Sequence, residues 1–136
     1  MKVEPYLSFE GCCEEAIEFY KIALAAKVNT LMRYKDSPEG PPSGEFPPEI
    51  RGKIMHASLT IGESIVMVSD GHNTGKTNFQ GISLTVTTKD VAEAERSFKA
   101  LSEGGKVNMP FAKTFFSPGF GMVSDRFGVS WMILTQ

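Results

Sequence analysis

One supersecondary unit is written twice in this chain, and that duplication limits the possible folds more than any other feature. Residues 1–69 read as strand, helix, strand, strand, strand, and residues 81–135 repeat the same order. Each copy has a helix near its start and a tight hairpin near its end. A polar stretch, 70–80, joins them. Such a pair predicts one α+β domain with a cavity assembled from two half-sites, and 136 residues suffice for its core.

The first copy opens with a strand over Val3–Phe9, placed at an edge or beside a bulge by Pro5. In the segment that follows, Ala16, Ile17, Phe19, Tyr20, Ala23 and Leu24 recur at three-to-four spacing, which predicts a helix over 12–24. Glu14 and Glu15 sit in its first turn, where negative charge suits the helix dipole. A second strand covers Val28–Tyr34. The stretch 35–49 then carries five prolines, which exclude regular structure and leave a lid or a surface excursion.

Ile54–Ile61 and Ser64–Ser69 form a hairpin about Gly62-Glu63, with glycine first as a type II′ turn requires. That loop pairs Ile61 with Ser64, Leu59 with Val66 and Ser58 with Met67. Alternation puts Met55, Ala57, Leu59, Val66 and Val68 on an apolar face against a helix. His56, Ser58, Thr60, Ile65, Met67 and Ser69 share a mixed face of the kind that lines a ligand cavity.

The second copy begins with a strand over Gly81–Thr87, and Thr87 with Asp90 has capping-box spacing. A helix follows to Glu103 with Val91, Ala94, Phe98 and Leu101 inward, stopped by Gly104-Gly105. Strands over Val107–Phe116, Phe120–Ser124 and Val129–Thr135 complete the copy, the last two joined by a turn at 125–128. By parity with Ile133, Trp131 faces the helix. Phe111, Phe115 and Phe116 read as core or as the stacking wall of a pocket.

Composition narrows the function. A net charge of −2 lacks the basic excess of a nucleic-acid binder. No apolar run approaches the roughly 20 residues of a membrane span, and no signal-peptide pattern opens the chain. The only cysteines, Cys12 and Cys13, are neighbours, which argues against a disulfide scaffold and fits a reducing cytoplasm.

Few residues suggest chemistry directly. Gly75-Lys76-Thr77 lacks the glycine of a phosphate loop, since Asp70 stands there, and a strand follows where a helix is needed. Asp70, His72 and His56 are candidate metal ligands, but only two histidines exist in the chain. His56 on the mixed face reads as a cavity-lining hydrogen-bonding group or as an acid–base catalyst. The dipole of the first helix could lower the pKa of Cys12 or Cys13, although small residues at that bend also have a packing explanation.

Four stretches, YLSFEGCCEEAIEFY, GKIMHASLTIGESIVMVSD, LSEGGKVNMPFAKTFF and FGMVSDRFGVSWMIL, resemble the PhnB-like branch of the vicinal oxygen chelate superfamily. This is the glyoxalase, bleomycin-resistance and extradiol dioxygenase group. The resemblance implies a single glyoxalase-like domain of two βαβββ modules, eight strands in an incompletely closed barrel-like sheet. It also implies a homodimer, often with strands or modules exchanged between chains. Metal-dependent members hold a divalent ion at four positions, which fall here at or within one residue of Pro5, Met67, Gly81 and Met132. None is His, Glu or Gln; a register slip would bring Gln80 to the place of Gly81, but one ligand does not bind an ion. A hard or borderline divalent ion wants imidazole and carboxylate, and thioethers grip it weakly.

The resulting expectation is a cytoplasmic homodimer that binds a small organic molecule with no metal and no cofactor, and with neither nucleic acid nor membrane as partner. Its binding residues are expected to be Leu7, Phe9, His56, Ser58, Met67, Ser83, Thr85 and Met132. Two alternatives stay open. One is a lyase- or dioxygenase-type enzyme that uses displaced metal ligands or His56 as acid and base. The other is a dimeric scaffold whose cavity is filled by its own side chains.

Overall fold

A computed structural model describes residues 1–41 and 44–136. Pro42 and Ser43, within the proline-rich stretch, lie outside the described residues. The chain divides into two compact units, Met1–Thr77 and Asn78–Gln136. Each is a four-stranded sheet with one long helix packed on one face, so the fold is α+β.

The first unit contains β1 (Tyr6–Ser8), α1 (Cys13–Leu24), β2 (Lys27–Arg33), α2 (Pro48–Arg51), β3 (Ile54–Ile61) and β4 (Ser64–Ser69). Its strand order is β1-β4-β3-β2, with β1 parallel to β4. The β3–β4 register is the one the turn residues predict: Ile61 opposite Ser64, Leu59 opposite Val66 and Ser58 opposite Met67. Gly62 has φ of 59°, whereas Glu63 keeps a negative φ, the combination a type II′ loop demands.

Ala16, Ile17 and Tyr20 of α1 are buried, as are Ala57, Leu59, Val66 and Val68 on the sheet. Met55 departs from the expected pattern. It is only half-buried, and Ile54 is fully buried in its stead. A bulge explains this: Met32 pairs with His56 while Arg33 pairs with Ile54, so Met55 has no partner and the phase of the strand slips.

Further differences concern ends and loops. β1 covers only Tyr6–Ser8; Pro5 has no N–H for the ladder, but its carbonyl accepts from the N–H of Met67 at 3.0 Å. The proline-rich stretch is not wholly irregular. Tyr34–Asp36 form one 3-10 turn, and Pro48 starts α2 at a position where a missing N–H costs nothing. Tyr34 and Phe46 stack edge-on across the stretch, with centroids 5.0 Å apart.

The second unit contains β5 (Ser83–Thr88), α3 (Val91–Ser102), β6 (Lys106–Ala112), β7 (Phe120–Ser124) and β8 (Ser130–Thr135), in the order β5-β8-β7-β6. Asp90, not Thr87, caps α3; its Oδ1 accepts from the N–H of Ala92 at 2.7 Å. Ala94, Phe98 and Leu101 are buried as expected, but Val91 in the first turn is exposed. Trp131 is buried beside Ile133, and its indole N–H donates to Asp125 Oδ2 at 2.8 Å. β6 stops at Ala112, short of the expected Phe116. The Thr114 hydroxyl accepts from the N–H groups of Phe116 and Ser117, turning the chain before Phe115 can join the strand. Phe115 is therefore fully exposed and Phe116 is 56% exposed, so neither is core.

Candidate functional site: the open sheet faces

Each sheet buries one face under its helix and leaves the other open. Directly opposite residues on neighbouring strands share a face, so the ladder pairings identify the open side chains. In the first sheet Tyr6, Met67, Ser58 and Thr30 form one row across four strands, and His56 with Met32 lies in the next row. Tyr6 Oη and His56 Nδ1 are 3.1 Å apart, with ring centroids at 5.6 Å. At the sheet's far end, Asn29 Nδ2 donates to Thr60 Oγ1 at 2.8 Å.

Of the residues expected to bind ligand in this unit, His56, Ser58 and Met67 are brought together on the open face. Leu7 and Phe9 are not. Leu7 pairs with Val68, which pairs with Ala57, so Leu7 and Phe9 belong to the helix-side core and are 8% and 1% exposed. Tyr6, out of phase with both, holds the position expected of them. The pairing of β1 with β4 fixes that phase, and no local signal in the strand carries it.

In the second sheet Ser83, Ser130 and Ser124 form one row, and Thr85, Met132, Met122 and Met109 form the next. The hydroxyls of Ser83 and Ser130 lie 2.9 Å apart, and Asn108 Nδ2 donates to Ser124 Oγ at 2.9 Å. Ser83, Thr85 and Met132 thus share one face.

Asp70 and His72 do not join His56. Asp70 is 1% exposed and its carboxylate is committed to backbone donors. Oδ1 accepts from the N–H groups of Gly11 and Cys13 at 2.9 and 2.8 Å, and Oδ2 accepts from that of Ile54 at 2.7 Å. It satisfies the start of α1, whose Cys12 cap offers no side-chain acceptor. The His72 N–H donates to Glu10 Oε2 at 3.2 Å, and Thr74 donates to Glu10 through both its N–H and its hydroxyl. Burial pushes Glu10 up, but these donors more than offset it and hold its carboxyl below the ordinary 4.5. Both thiols are pushed up, Cys12 by burial and the carboxylates of Glu15 and Asp70, Cys13 by burial and Asp70. That is the wrong direction for a nucleophile.

At the four positions where the resemblance implies a divalent ion, the side chains are not the His, Glu or Gln that it implies. Met67 and Met132 present thioethers, while Pro5 and Gly81 present no side-chain donor. Among the described residues no three of His, Cys, Asp or Glu gather as a metal-binding group. One cavity, of about 270 Å³, lies at the start of α1 between Glu14, Glu15, Pro48, Glu49, Lys53 and Asp70, and none of the residues expected to bind the organic ligand lines it. Lys53 Nζ there donates to the carbonyl of Gly11 at 2.6 Å, and Glu14 pairs with Arg33 at 2.7 Å.

Residues 1–134 match the family described as 3-demethylubiquinone-9 3-methyltransferase. The chain belongs to that family. Protein YjdN of Escherichia coli K12 is 38% identical over 98% of this chain and 94% of its own. Protein PA1353 of Pseudomonas aeruginosa is 39% identical over 100% and 98% of the two chains, with a TM-score of 0.85. The PhnB protein of Bacillus cereus is 29% identical over the whole of both chains, with a TM-score of 0.79. The fosfomycin resistance protein FosX of Listeria monocytogenes shares the fold at a TM-score of 0.65 and 6% identity. The chain therefore resembles the PhnB protein in sequence and fold, and shares the fold alone with FosX. No helix among the described residues is long and apolar enough to cross a membrane.

Proposed function

We propose that the open sheet faces bind a small organic molecule without a divalent metal ion, and that binding rather than turnover is the protein's task. The observation that carries this reading is the Tyr6–His56 pair, a hydrogen-bonded polar anchor set between Met67, Met32 and Ser58. A mostly apolar wall with a few placed polar groups is the usual make-up of a small-molecule site. Ser83, Thr85 and Met132 supply a similar mixture on the second sheet. Thioethers at Met67 and Met132 support metal independence, because a Lewis acid needs harder donors there. We further propose a cytoplasmic homodimer, from the family's architecture.

The family description names a methyltransferase. The turn from β1 into α1 bears on that reading. Nucleotide-like cofactors are commonly seated on a glycine-rich turn and free helix N–H groups. Here Glu10-Gly11-Cys12 offers one glycine, and the N–H groups of Gly11 and Cys13 are already taken by Asp70. A second reading, acid–base catalysis at His56, draws on the same hydrogen bond: when Tyr6 donates to Nδ1, the proton of the neutral ring sits on Nε2.

The test is a ligand-observed NMR screen of a fragment library in EDTA, repeated with His56→Ala and Tyr6→Phe. Hits that bind in EDTA and weaken several-fold in either variant support the proposal. A library that yields binders only after a divalent ion is added would overturn it.

A further inference from the structure

The seven methionines are distributed unlike the other apolar residues. None is in the buried core, which is built from Leu, Ile, Val, Ala, Phe, Tyr, Trp and Cys. Met1 is at the terminus and Met55 at the β3 bulge. The other five all lie on open faces. Met32 and Met67 flank Tyr6 and His56. Met109, Met122 and Met132 are direct ladder partners on three adjacent strands, an unbroken thioether row. Its outer members are 44% exposed at Met109 and half-buried at Met132.

A sheet face meant only to be covered by protein gains most from branched, rotamer-poor residues. Methionine differs in two ways. Its three rotatable bonds adapt to varied shapes, and its polarizable sulfur is attracted to aromatic rings. Opposed residues on neighbouring strands sit about 5 Å apart. Three such thioethers in line therefore span roughly 10 Å, enough to lie along a one- or two-ring aromatic system. The adjacent row, Ser83, Ser130 and Ser124, offers hydroxyls for a polar edge of the same molecule.

We infer that the ligand of the second unit's open face is a flat aromatic molecule bearing a hydroxyl or carbonyl, gripped by the Met109–Met122–Met132 row. The inference rests on the small-molecule reading above and names the ligand class. Sulfur–ring contacts favour an aromatic ligand over a saturated one of equal size, by about tenfold if two or three form together. The flexibility of the row predicts tolerance of ring size, so that one- and two-ring phenols bind with similar affinity.

The experiment uses the full chain labelled with 13C at the methionine methyls. It is titrated with 2-naphthol and with decahydro-2-naphthol, its saturated counterpart. The expected result is methyl shifts at Met109, Met122 and Met132, and about tenfold tighter binding of 2-naphthol. In Met122→Leu and Met132→Leu, which keep apolar bulk but remove sulfur, that preference should fall to about twofold. Equal binding of the two alcohols, or a preference that survives both substitutions, overturns the aromatic assignment and leaves small-molecule binding standing. Absence of any methyl shift with either alcohol, alongside hits from the fragment screen elsewhere on the protein, overturns it by position. If the fragment screen also finds nothing, the binding reading fails with it.

Discussion

Replacing Asp70 by Asn should unfold the first unit's helix–sheet joint far more than an isosteric exchange would on a surface. Asp70 is buried and accepts three backbone N–H groups from two places in the chain, Gly11 and Cys13 at the start of α1 and Ile54 at the start of β3. Asn keeps an oxygen for Gly11 and Cys13 but turns an NH2 toward the N–H of Ile54, leaving two donors face to face. An unsatisfied buried donor costs about 1–3 kcal/mol, and a lost carboxylate at a helix start about 0.3–1 more. Asp70→Asn should therefore lose about 2–3 kcal/mol, and Asp70→Ala, with all three donors orphaned, about 4 kcal/mol or more. Against a total stability of about 5–15 kcal/mol this is a large share. Urea unfolding followed by far-UV circular dichroism should show the Asn variant's midpoint lowered by about 1 M. Hydrogen exchange should show faster amides at Cys13 and Ile54, which places the effect in this joint. A loss under about 0.5 kcal/mol, the range of surface changes, would refute the structural role of Asp70 and reopen it as a ligand.

Two other predictions address Trp131 in the second unit and Glu10 in the first. Trp131→Phe should cost about 1–3 kcal/mol by leaving Asp125 Oδ2 without its indole donor, and Trp131→Ala about 3–5 kcal/mol, both read by urea denaturation. A loss in the alanine variant no larger than in the phenylalanine one would mean that packing around Trp131 matters little. Glu10 is held below its ordinary 4.5, so its bonds to His72 and Thr74 stabilise the fold above that value and weaken as pH falls through the lower folded value. The stability gap between the native chain and Glu10→Gln should be constant near neutrality and shrink below about pH 4.5; a gap constant down to pH 3 would contradict it.

Local rules made much of this fold legible. Gly62-Glu63 between two alternating runs determined both the turn and the register of β3 with β4. The parity of Trp131 with Ile133 put the indole in the core. Where local rules failed, a longer-range or irregular feature intervened. The bulge at Met55 shifted the phase of β3 by one residue, and nothing in the run Ile54-Met55-His56 announces it. The phase of the short β1 is set by its parallel pairing with β4 across more than fifty residues, which is why Leu7 and Phe9 were expected on the wrong face and Tyr6 was overlooked. Asp70 reads as a candidate metal ligand from sequence because the backbone donors it serves lie up to 59 positions away. Among the site residues, His56, Ser58 and Met67 followed from alternation alone, whereas the Tyr6–His56 contact needed the sheet order.

The most direct measurement is a calorimetric titration of the tightest fragment hit, performed once in EDTA and once with excess Mn2+ or Ni2+. The account predicts a Kd that agrees within about twofold between the two, because among the described residues no three of His, Cys, Asp or Glu gather to hold an ion. Binding detectable only when the ion is present, with the ion retained by the protein, would contradict it.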